Sequence, residues 1–230
     1  MSNEPWETVL RNAHPGERAV VVLSGGPDSA VVLYLACTKG YHVNALTFDY
    51  GQLAEAEIVC AEELARRAGA EWKRFDLSSM RDIYMGATAL TDEDLHITGE
   101  FASPLVAPFR NGIMLAIAVA YADSIGASMV LYGAQQSDAK HYPDCREGFV
   151  KAFEEAAKAG TDKDIRIKAP LISLSKTMVL KLGKELGVPF EMTWSCYRRG
   201  NKHCGICESC LNRKRAFAEA CMSDPTEYSE

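Results

Sequence analysis

Short apolar segments alternate with longer amphipathic ones along most of the chain. The apolar segments have the length and composition of buried strands and lie near residues 18–24, 42–48, 71–77, 128–133 and 165–168. The segments between them repeat apolar residues with helical spacing over about 28–39, 54–68, 109–125, 146–159 and 175–187. Regular alternation of strand and helix is typical of βα units around a parallel sheet. The pattern therefore predicts an α/β, Rossmann-like fold with five parallel strands and helices on both faces.

Two segments interrupt this alternation. Residues 79–107 form a long connection with weak periodicity, and connections of this length are usually lids, binding loops or disordered segments. Residues 189–215 lose the βα pattern and carry a cluster of cysteines. We therefore predict an α/β domain over residues 1–188, followed over 189–230 by a small cysteine-rich region and a C-terminal helix.

The composition is that of an ordinary globular protein. Of the 230 residues, 47% are hydrophobic and 24% are charged, which is sufficient for a hydrophobic core. The polar first residues do not resemble a secretory signal, and no later apolar run is long enough to span a bilayer, so we expect a cytoplasmic protein without a membrane anchor. The net charge of -6 argues against stable nucleic-acid binding, although it leaves room for a small local basic patch.

A glycine-rich turn follows the first predicted strand, in the stretch "VVVLSGGPDSAVVLY". Backbone amides of Ser24, Gly25 and Gly26 would face an anion there, and Asp28 and Ser29 would open the next helix toward the same point. The Lys-Ser/Thr pair of the mononucleotide P-loop and the spacing of the dinucleotide fingerprint are both absent. The stretch instead resembles the Ser-Gly-Gly-x-Asp-Ser loop of the PP-loop ATP pyrophosphatases. The simpler interpretation, a turn that binds nothing, accounts for the glycines but not for the flanking polar residues.

This resemblance gives the loop an ATP-binding role. Asp28 would help to hold Mg²⁺, while Ser24 and Ser29 would donate hydrogen bonds to phosphate oxygens. Backbone groups of Phe48, at the end of the second strand, would contact the edge of the adenine. Asp49 next to it either binds ribose or metal or only caps the strand.

Four cysteines are closely spaced near the C-terminus. Cys196, Cys204, Cys207 and Cys210 follow the pattern C-x7-C-x2-C-x2-C, which suits one tetrahedral ion, and four thiolates would leave no open coordination position. We predict structural Zn²⁺. An iron–sulfur cluster is the first alternative, although Lys214 stands where the next cysteine of a ferredoxin-type run would be expected. A nucleic-acid-binding finger is the second alternative, suggested by nearby basic residues: Arg198, Arg199, Lys202, Arg213, Lys214 and Arg215.

Further polar residues lie where ligands of open α/β sheets bind. The segment 134–145 follows the fourth strand and brings Asp138, Asp144, Cys145 and then Arg146 to the carboxyl edge of the sheet. Arg110 opens the central helix at the same edge, within reach of a phosphate or carboxylate. Alternatively, Asp144 is only a helix cap and Arg110 only a surface cation. Lys176 begins the last sheet-packing helix and by itself would usually be a solvated lysine.

In order along the chain, the motifs "SGGPDSA", "FDYGQ", "PFRN", "YPDCREGF", "PLISLSK" and "TWSCYRRGNKHCGICESCLNRKRAF" resemble those of the 7-cyano-7-deazaguanine synthases. The resemblance extends from residue 18 to about residue 220. It implies a HUP-like fold and a zinc-containing, ATP-dependent enzyme of queuosine and 7-deazapurine biosynthesis, commonly a homodimer.

The resemblance also implies a reaction and residue roles. ATP would adenylate the carboxylate of 7-carboxy-7-deazaguanine, ammonia would displace AMP to give an amide, and a second adenylation would lead to the nitrile. Arg110 and Lys176 would bind the phosphates, and Asp28 and Asp144 would also be catalytic residues. The deazaguanine would be bound by Asp138, Tyr142, Asp144 and Arg146. Cys145 would be either an acyl site or a neutral thiol packed behind Asp144.

The sequence departs from the family pattern at several positions. It has Ala30-Val31 where the family usually has Thr-Thr, Leu53-Ala54 where it has Arg-His, and Phe109 and His141 where it has glycines. These departures keep open two alternatives. The first is a diverged ligase that stops at the amide or joins the activated purine to another amine, conceivably on a partner protein of a defence system. The second is a zinc-stabilised protein that binds or modifies tRNA.

Overall fold

The computed structural model describes residues 9–95, 97 and 105–229. Five strands form one sheet in which every neighbouring pair is parallel, in the order β3-β2-β1-β4-β5. The strands are β1 Arg18–Val22, β2 His42–Asp49, β3 Glu71–Asp76, β4 Met129–Leu131 and β5 Arg166–Lys168. The predicted five-stranded parallel sheet is confirmed, and each strand boundary lies within two residues of its expected position.

Helices cover both faces of this sheet. They are α1 Pro27–Thr38, α2 Ala56–Ala68, α3 Met80–Tyr84, α4 Arg110–Ile125, α5 Glu147–Thr161, α6 Lys176–Glu185 and α7 Glu208–Glu219. The four helices expected between strands and the one expected after the last strand are present, and α7 is the expected C-terminal helix. The short helix α3 lies inside the connection 79–107 and was not anticipated. Residues 96 and 98–104 of that connection lie outside the described residues.

Two hydrophobic clusters hold the sheet between its helices. Successive residues of a strand point to opposite faces, so Val21 packs toward α1, α2, α6 and α7, whereas Val20 packs toward α4 and α5. The first cluster includes Phe217 of α7, which meets Phe190 edge to face with ring centroids 5.5 Å apart. The helix that follows the cysteine cluster therefore packs on the main core, and the proposed boundary at residue 188 stays a prediction.

The strand order places a crevice at the carboxyl edge of the sheet. The chain continues from β1 outward through β2 and β3, and then returns to the other side of β1 to form β4 and β5. Between β1 and β4 the direction of strand addition reverses, and ligands of open α/β sheets bind at such a point. The glycine turn after β1 and the segment after β4 both end there. Within the described ranges, no helix is both long and apolar enough to cross a bilayer.

Candidate active site

A cavity of about 250 Å³ opens at this crevice. The glycine turn forms one wall, and the end of β2 and the first turns of α2, α4 and α6 form others. The residues after the last predicted helix also contribute a wall, with Trp194, Ser195, Tyr197 and Ser209. These four were not expected at the site, because the spacing of the cysteines predicts only a structural role for this region.

The glycine turn is fixed by close packing and by internal hydrogen bonds. Gly25 has a φ of +83°, and a Cβ atom there would lie 2.1 Å from the carbonyl oxygen of Glu57, so only glycine fits. Ser24 Oγ and Ser29 Oγ are 3.1 Å apart, and Ser29 Oγ donates to the carbonyl of Gly26 at 3.0 Å. The Trp194 amide donates to the Gly25 carbonyl at 2.8 Å. The turn is therefore held in one conformation from both sides.

Two carboxylates and one lysine meet beside this turn. Lys176 forms an ion pair with Asp28, and Asp28 Oδ1 is buried without a hydrogen-bond partner among the residues that the structure describes. Asp138 accepts hydrogen bonds from the backbone and side-chain nitrogens of Gln135, each at 3.0 Å. Burial, together with the negative charge of Asp28, raises the pKa of Asp138 to about 6. The predicted neighbours Asp28, Asp138 and Lys176 thus line one cavity, and the orphaned oxygen of Asp28 suits a divalent cation.

Arg110 lines the cavity at the start of α4, within a polar cluster that sequence reasoning did not identify. Its Nη1 donates to Tyr50 Oη at 2.8 Å, and Tyr50, Gln52 and Glu57 all line the cavity. Burial raises the pKa of Glu57 to about 7 and that of Tyr50 to about 12. Glu57 escaped notice because an acidic residue in the first turn of a helix is ordinarily explained by the helix dipole alone.

Asp144 contacts the first turn of another helix, α4, whereas Arg146 is the N-cap of the helix that follows it. Asp144 Oδ2 accepts the backbone N–H of Asn111 at 2.9 Å in the first turn of α4, and Asp144 does not line the cavity. Cys145 lines the cavity and receives a hydrogen bond from Asn111 Nδ2 at 3.3 Å. Burial raises the pKa of the Cys145 thiol far above its ordinary value, which keeps it neutral. The catalytic roles assigned to both residues stay predictions, and the geometry favours capping for one and a neutral thiol for the other.

The remaining expected site residues divide into those on the cavity wall and those away from it. Phe48 and Tyr142 line the cavity together with Ser24, Gly26 and Ser29. Gly25 is not on the cavity wall and packs against the backbone carbonyl of Glu57. Arg146 is exposed and donates to the carbonyl of Ala139 at 3.0 Å, away from the cavity wall. A substrate contact by Arg146 remains a prediction that would need this side chain to turn.

The four clustered cysteines bring their sulfur atoms within 4.8 Å of one another. Cys207 Sγ lies 4.0 Å from Cys196 Sγ, and Cys204 Sγ lies 3.9 Å from Cys210 Sγ. The backbone amides of Arg198 and Cys204 each point at Cys196 Sγ from 3.4 Å, as donors to a thiolate do. The four cysteines are therefore grouped as one metal site with four cysteine ligands requires, as expected from their spacing.

Five of the six basic residues named around the cysteines are engaged within the protein. Arg213 is almost fully buried, donates to Thr193 Oγ1 at 2.7 Å and pairs with Asp224 at 3.1 Å. Lys202 pairs with Glu227 at 3.1 Å. Arg198 donates to the carbonyl of Ile97 at 3.0 Å, Arg199 pairs with Glu93 at 2.7 Å, and Lys214 donates to the carbonyl of Gly205 at 3.0 Å. These contacts weaken the interpretation of the region as a nucleic-acid-binding finger.

Known proteins resemble this chain in sequence and in fold. The chain matches the family described as Queuosine biosynthesis protein QueC over residues 18–221. The 7-cyano-7-deazaguanine synthase of Thermoplasma acidophilum is 43% identical over 226 residues, covering 93% of each chain. That of Nitratiruptor sp. is 41% identical over 218 residues, covering 92% of this chain and 98% of the relative.

Among solved structures, an NH3-dependent NAD synthetase from Campylobacter jejuni superposes with a TM-score of 0.52 at 19% identity, covering 78% of this chain and 68% of the other. At that identity the likeness concerns the fold alone, and it supports the HUP-like architecture. The sequence relatives, in contrast, match along nearly their whole length, which confirms both the resemblance drawn from the motifs and the expectation of an enzyme of this kind. The chain therefore belongs to the QueC family of queuosine biosynthesis proteins.

Proposed function

We propose that this protein is a 7-cyano-7-deazaguanine synthase, which converts 7-carboxy-7-deazaguanine and ammonia to the nitrile at the expense of ATP. The observation that carries the proposal is the full-length match to proteins of that name, at 43% identity for the Thermoplasma protein. The cavity supports it, because residues of the separate family motifs meet there: Ser24, Asp28, Phe48, Arg110 and Lys176.

ATP would bind with its phosphates at the glycine turn. The turn and the first residues of α1 line the cavity. In the structure, the amides of Ser24 and Gly26 donate to Ser29 Oγ and Ser24 Oγ, and these amides and hydroxyls would turn to the phosphates when ATP binds. Mg²⁺ bound with ATP would neutralise charge on the departing pyrophosphate. Asp28, through its orphaned oxygen, and Asp138 would hold that ion. Lys176, which pairs with Asp28 in the free protein, would turn to the phosphates.

The chemistry requires one activation of each of the two carboxylate oxygens. In the first, the substrate carboxylate attacks the α-phosphorus, pyrophosphate leaves, and ammonia then displaces AMP, which takes that oxygen with it, to form the amide. In the second, the remaining oxygen, now that of the amide, is adenylated in the same way, and loss of AMP and of the two nitrogen protons leaves the nitrile. Arg110, which lines the same cavity, would stabilise the phosphate.

Zn²⁺ at the four cysteines would have a structural role, because four thiolates close the coordination sphere. Its effect on the site would be direct, since Trp194 precedes the first cysteine by two residues and donates to the carbonyl of Gly25. Metal analysis of the purified protein distinguishes zinc from the iron–sulfur alternative. The homodimer implied by the family is checked by light scattering of the same sample.

The diverged-ligase alternative rests on the departures from the family pattern, and most of them lie away from the cavity. Ala30 and Val31 are fully buried in the core, and Phe109 is 60% exposed. Among the departing positions in the described chain, Ala54 alone lines the cavity. This distribution favours the synthase over a ligase with a different acceptor.

The proposal is tested by mass spectrometry of one reaction that contains the protein, Mg-ATP, 7-carboxy-7-deazaguanine and ammonium. AMP together with the nitrile is the expected result. AMP with the amide or the adenylate as the last product would instead support the diverged ligase, and the search would move to another amine. Absence of AMP would reject the substrate.

A further inference from the structure

Glu57 places a carboxylate in the cavity wall that the sequence motifs did not single out. It lies in the first turn of α2, where its backbone carbonyl contacts the glycine turn so closely that a Cβ atom on Gly25 would lie 2.1 Å away. Its side chain lines the same cavity as Asp28 and Arg110. Glu57 is therefore fixed beside the loop at which the phosphates of ATP are proposed to bind.

Gln52 orients this carboxylate. Gln52 Nε2 donates to Glu57 Oε1 at 2.9 Å, and the Gln52 amide is itself fixed by the backbone N–H of Tyr50 at 2.8 Å and by the carbonyl of Phe48 at 3.2 Å. Glu57 Oε2 receives no hydrogen bond from the described residues. One oxygen is thus anchored, and the other is available to a ligand in the cavity.

The surroundings of Glu57 favour uptake of a proton near neutral pH. No ion pair to Glu57 forms within the part of the chain that the structure describes. The titratable and charged groups that act on it are Arg110 from α4, Asp49 and Tyr50 from the end of β2, and Cys60 one turn further along α2. Burial outweighs the attraction of Arg110 and raises the pKa of Glu57 to about 7. A base of this strength is well matched to catalysis at neutral pH.

We propose that Glu57 is the general base of the nitrogen-transfer step, through its free Oε2. The inference rests on the proposed function and adds a catalytic residue to it. Ammonia attacks the carbonyl carbon of the acyl adenylate, so that a C–N bond forms, the C–O bond to AMP breaks, and AMP leaves with the electron pair. The proton that the new nitrogen must lose passes to the Glu57 carboxylate, and the neutral amide and the Glu57 carboxylic acid result.

The same group serves the second half of the reaction. After Glu57 has returned its proton to solvent, the amide oxygen displaces pyrophosphate from ATP and the nitrogen loses one proton to solvent, which gives a neutral imidate with one proton left on nitrogen. Loss of that proton to Glu57 and departure of AMP form the C≡N bond. A single base therefore accounts for the deprotonation that accompanies each departure of AMP, and Glu57→Gln should impair amide and nitrile formation together.

The test separates adenylation from nitrogen transfer in wild type, Glu57→Gln, Glu57→Asp and Glu55→Gln. Glu55 is a matched control, because it lies in the same turn and is exposed to solvent. Adenylation is followed by exchange of labelled pyrophosphate into ATP that depends on 7-carboxy-7-deazaguanine. Nitrogen transfer is followed by single-turnover conversion of the adenylate to the amide, as a function of ammonium concentration and pH.

We expect Glu57→Gln to retain exchange within about threefold and to slow amide formation by about 10²–10⁴-fold, the usual contribution of a general base. Glu57→Asp should recover part of the rate, and Glu55→Gln should equal the wild type. For the wild type, the logarithm of the second-order rate with ammonium should rise with a slope of about two below pH 7, where both ammonium and Glu57 lose protons, and of about one above it. Glu57→Gln should show a slope of about one throughout.

Two results would overturn the assignment. One is amide formation by Glu57→Gln at the wild-type rate or with the wild-type pH slope. The other is an equal loss of exchange and amide formation, which would give Glu57 a role in binding ATP instead. Failure of the wild type to support exchange with 7-carboxy-7-deazaguanine would reject the proposed function itself, and with it this assignment, before any variant is compared.

Discussion

The placement of Glu57 predicts that the isosteric variant Glu57→Gln is more stable than the wild type at neutral pH. Burial raises the pKa of Glu57 from 4.5 to about 7, so the unfolded chain ionises this group more readily than the folded protein does. The wild type accordingly loses stability as pH rises from about 4.5 to about 7. Glutamine does not titrate, and its side-chain oxygen can still accept the hydrogen bond from Gln52.

The size of this difference in stability follows from the shift in the pKa of Glu57. Each pH unit by which a pKa moves corresponds to about 1.4 kcal/mol, so the full penalty is about 3 kcal/mol above pH 7. Between pH 5.5 and 8 the penalty grows by about 2 kcal/mol, and water in the open cavity reduces that value somewhat. For a chain of this length, about 2 kcal/mol corresponds to a difference in Tm of roughly 4–8 °C.

The assay is thermal unfolding of the zinc-replete protein at both pH values, for wild type, Glu57→Gln and the exposed control Glu55→Gln. The advantage of Glu57→Gln over the wild type in Tm should be several degrees larger at pH 8 than at pH 5.5, whereas the control should follow the wild type at both. An advantage that does not change with pH would refute the argument, because it would mean that Glu57 titrates as an ordinary glutamate. A Glu57→Gln variant less stable than the wild type at pH 8 would do the same.

Three further variants test other parts of the site. Asp28→Ala should abolish AMP formation while zinc content and Tm stay near wild type, and an active variant would remove Asp28 from the ATP site. Cys207→Ser should lose both bound metal and soluble protein, as measured by metal analysis and yield; a soluble variant with a full complement of zinc would exclude Cys207 as a ligand. Asp144→Ala should lower the free energy of unfolding by about 1 kcal/mol, the usual cost of losing a helix cap. An unchanged unfolding curve would contradict the capping contact with Asn111.

Much of the fold follows from local sequence patterns. The strands are short apolar runs such as that of β4, whose three residues are all buried, and buried runs between helices leave few alternatives to a parallel sheet. The helix α3 was missed because five residues are too few to show a period. The order of strands could not be obtained from periodicity at all, since it depends on how the helices pack.

The site was only partly predictable for a related reason. Asp28 and Lys176 lie 148 positions apart in the chain. The motif resemblance assigned both to the ATP site, and the structure shows them in contact. Tyr197 and Ser209 were missed, because a metal-binding cluster suggests support rather than a wall of the cavity. Asp144 is the opposite case, since a residue in a specific motif turned out to hold a helix N-terminus.

A comparison with a structural carboxylate shows why Glu57 and Asp138 differ from other buried acids of the chain. Glu154 is 8% exposed, and burial alone would raise its pKa. However, the amide of Ile167 donates to it at 2.8 Å and three cations surround it, namely Lys158, Arg166 and Lys168, so its pKa is lowered instead. The fold itself thus supplies the cations and the hydrogen bond that keep this structural carboxylate ionised.

At Glu57 and Asp138, burial outweighs the attraction of Arg110 and Lys176, and the pKa values rise to about 7 and about 6. A buried carboxylate whose charge is only partly balanced raises the free energy of the folded state, and binding of a positive charge lowers it again. The two positive species in the proposed reaction are Mg²⁺ with ATP and the proton released by the attacking nitrogen. Asp138, beside Asp28, would face Mg²⁺, and Glu57, beside the glycine turn, would take up the proton. Each of these two acids thus has a positive partner that the proposed reaction itself supplies.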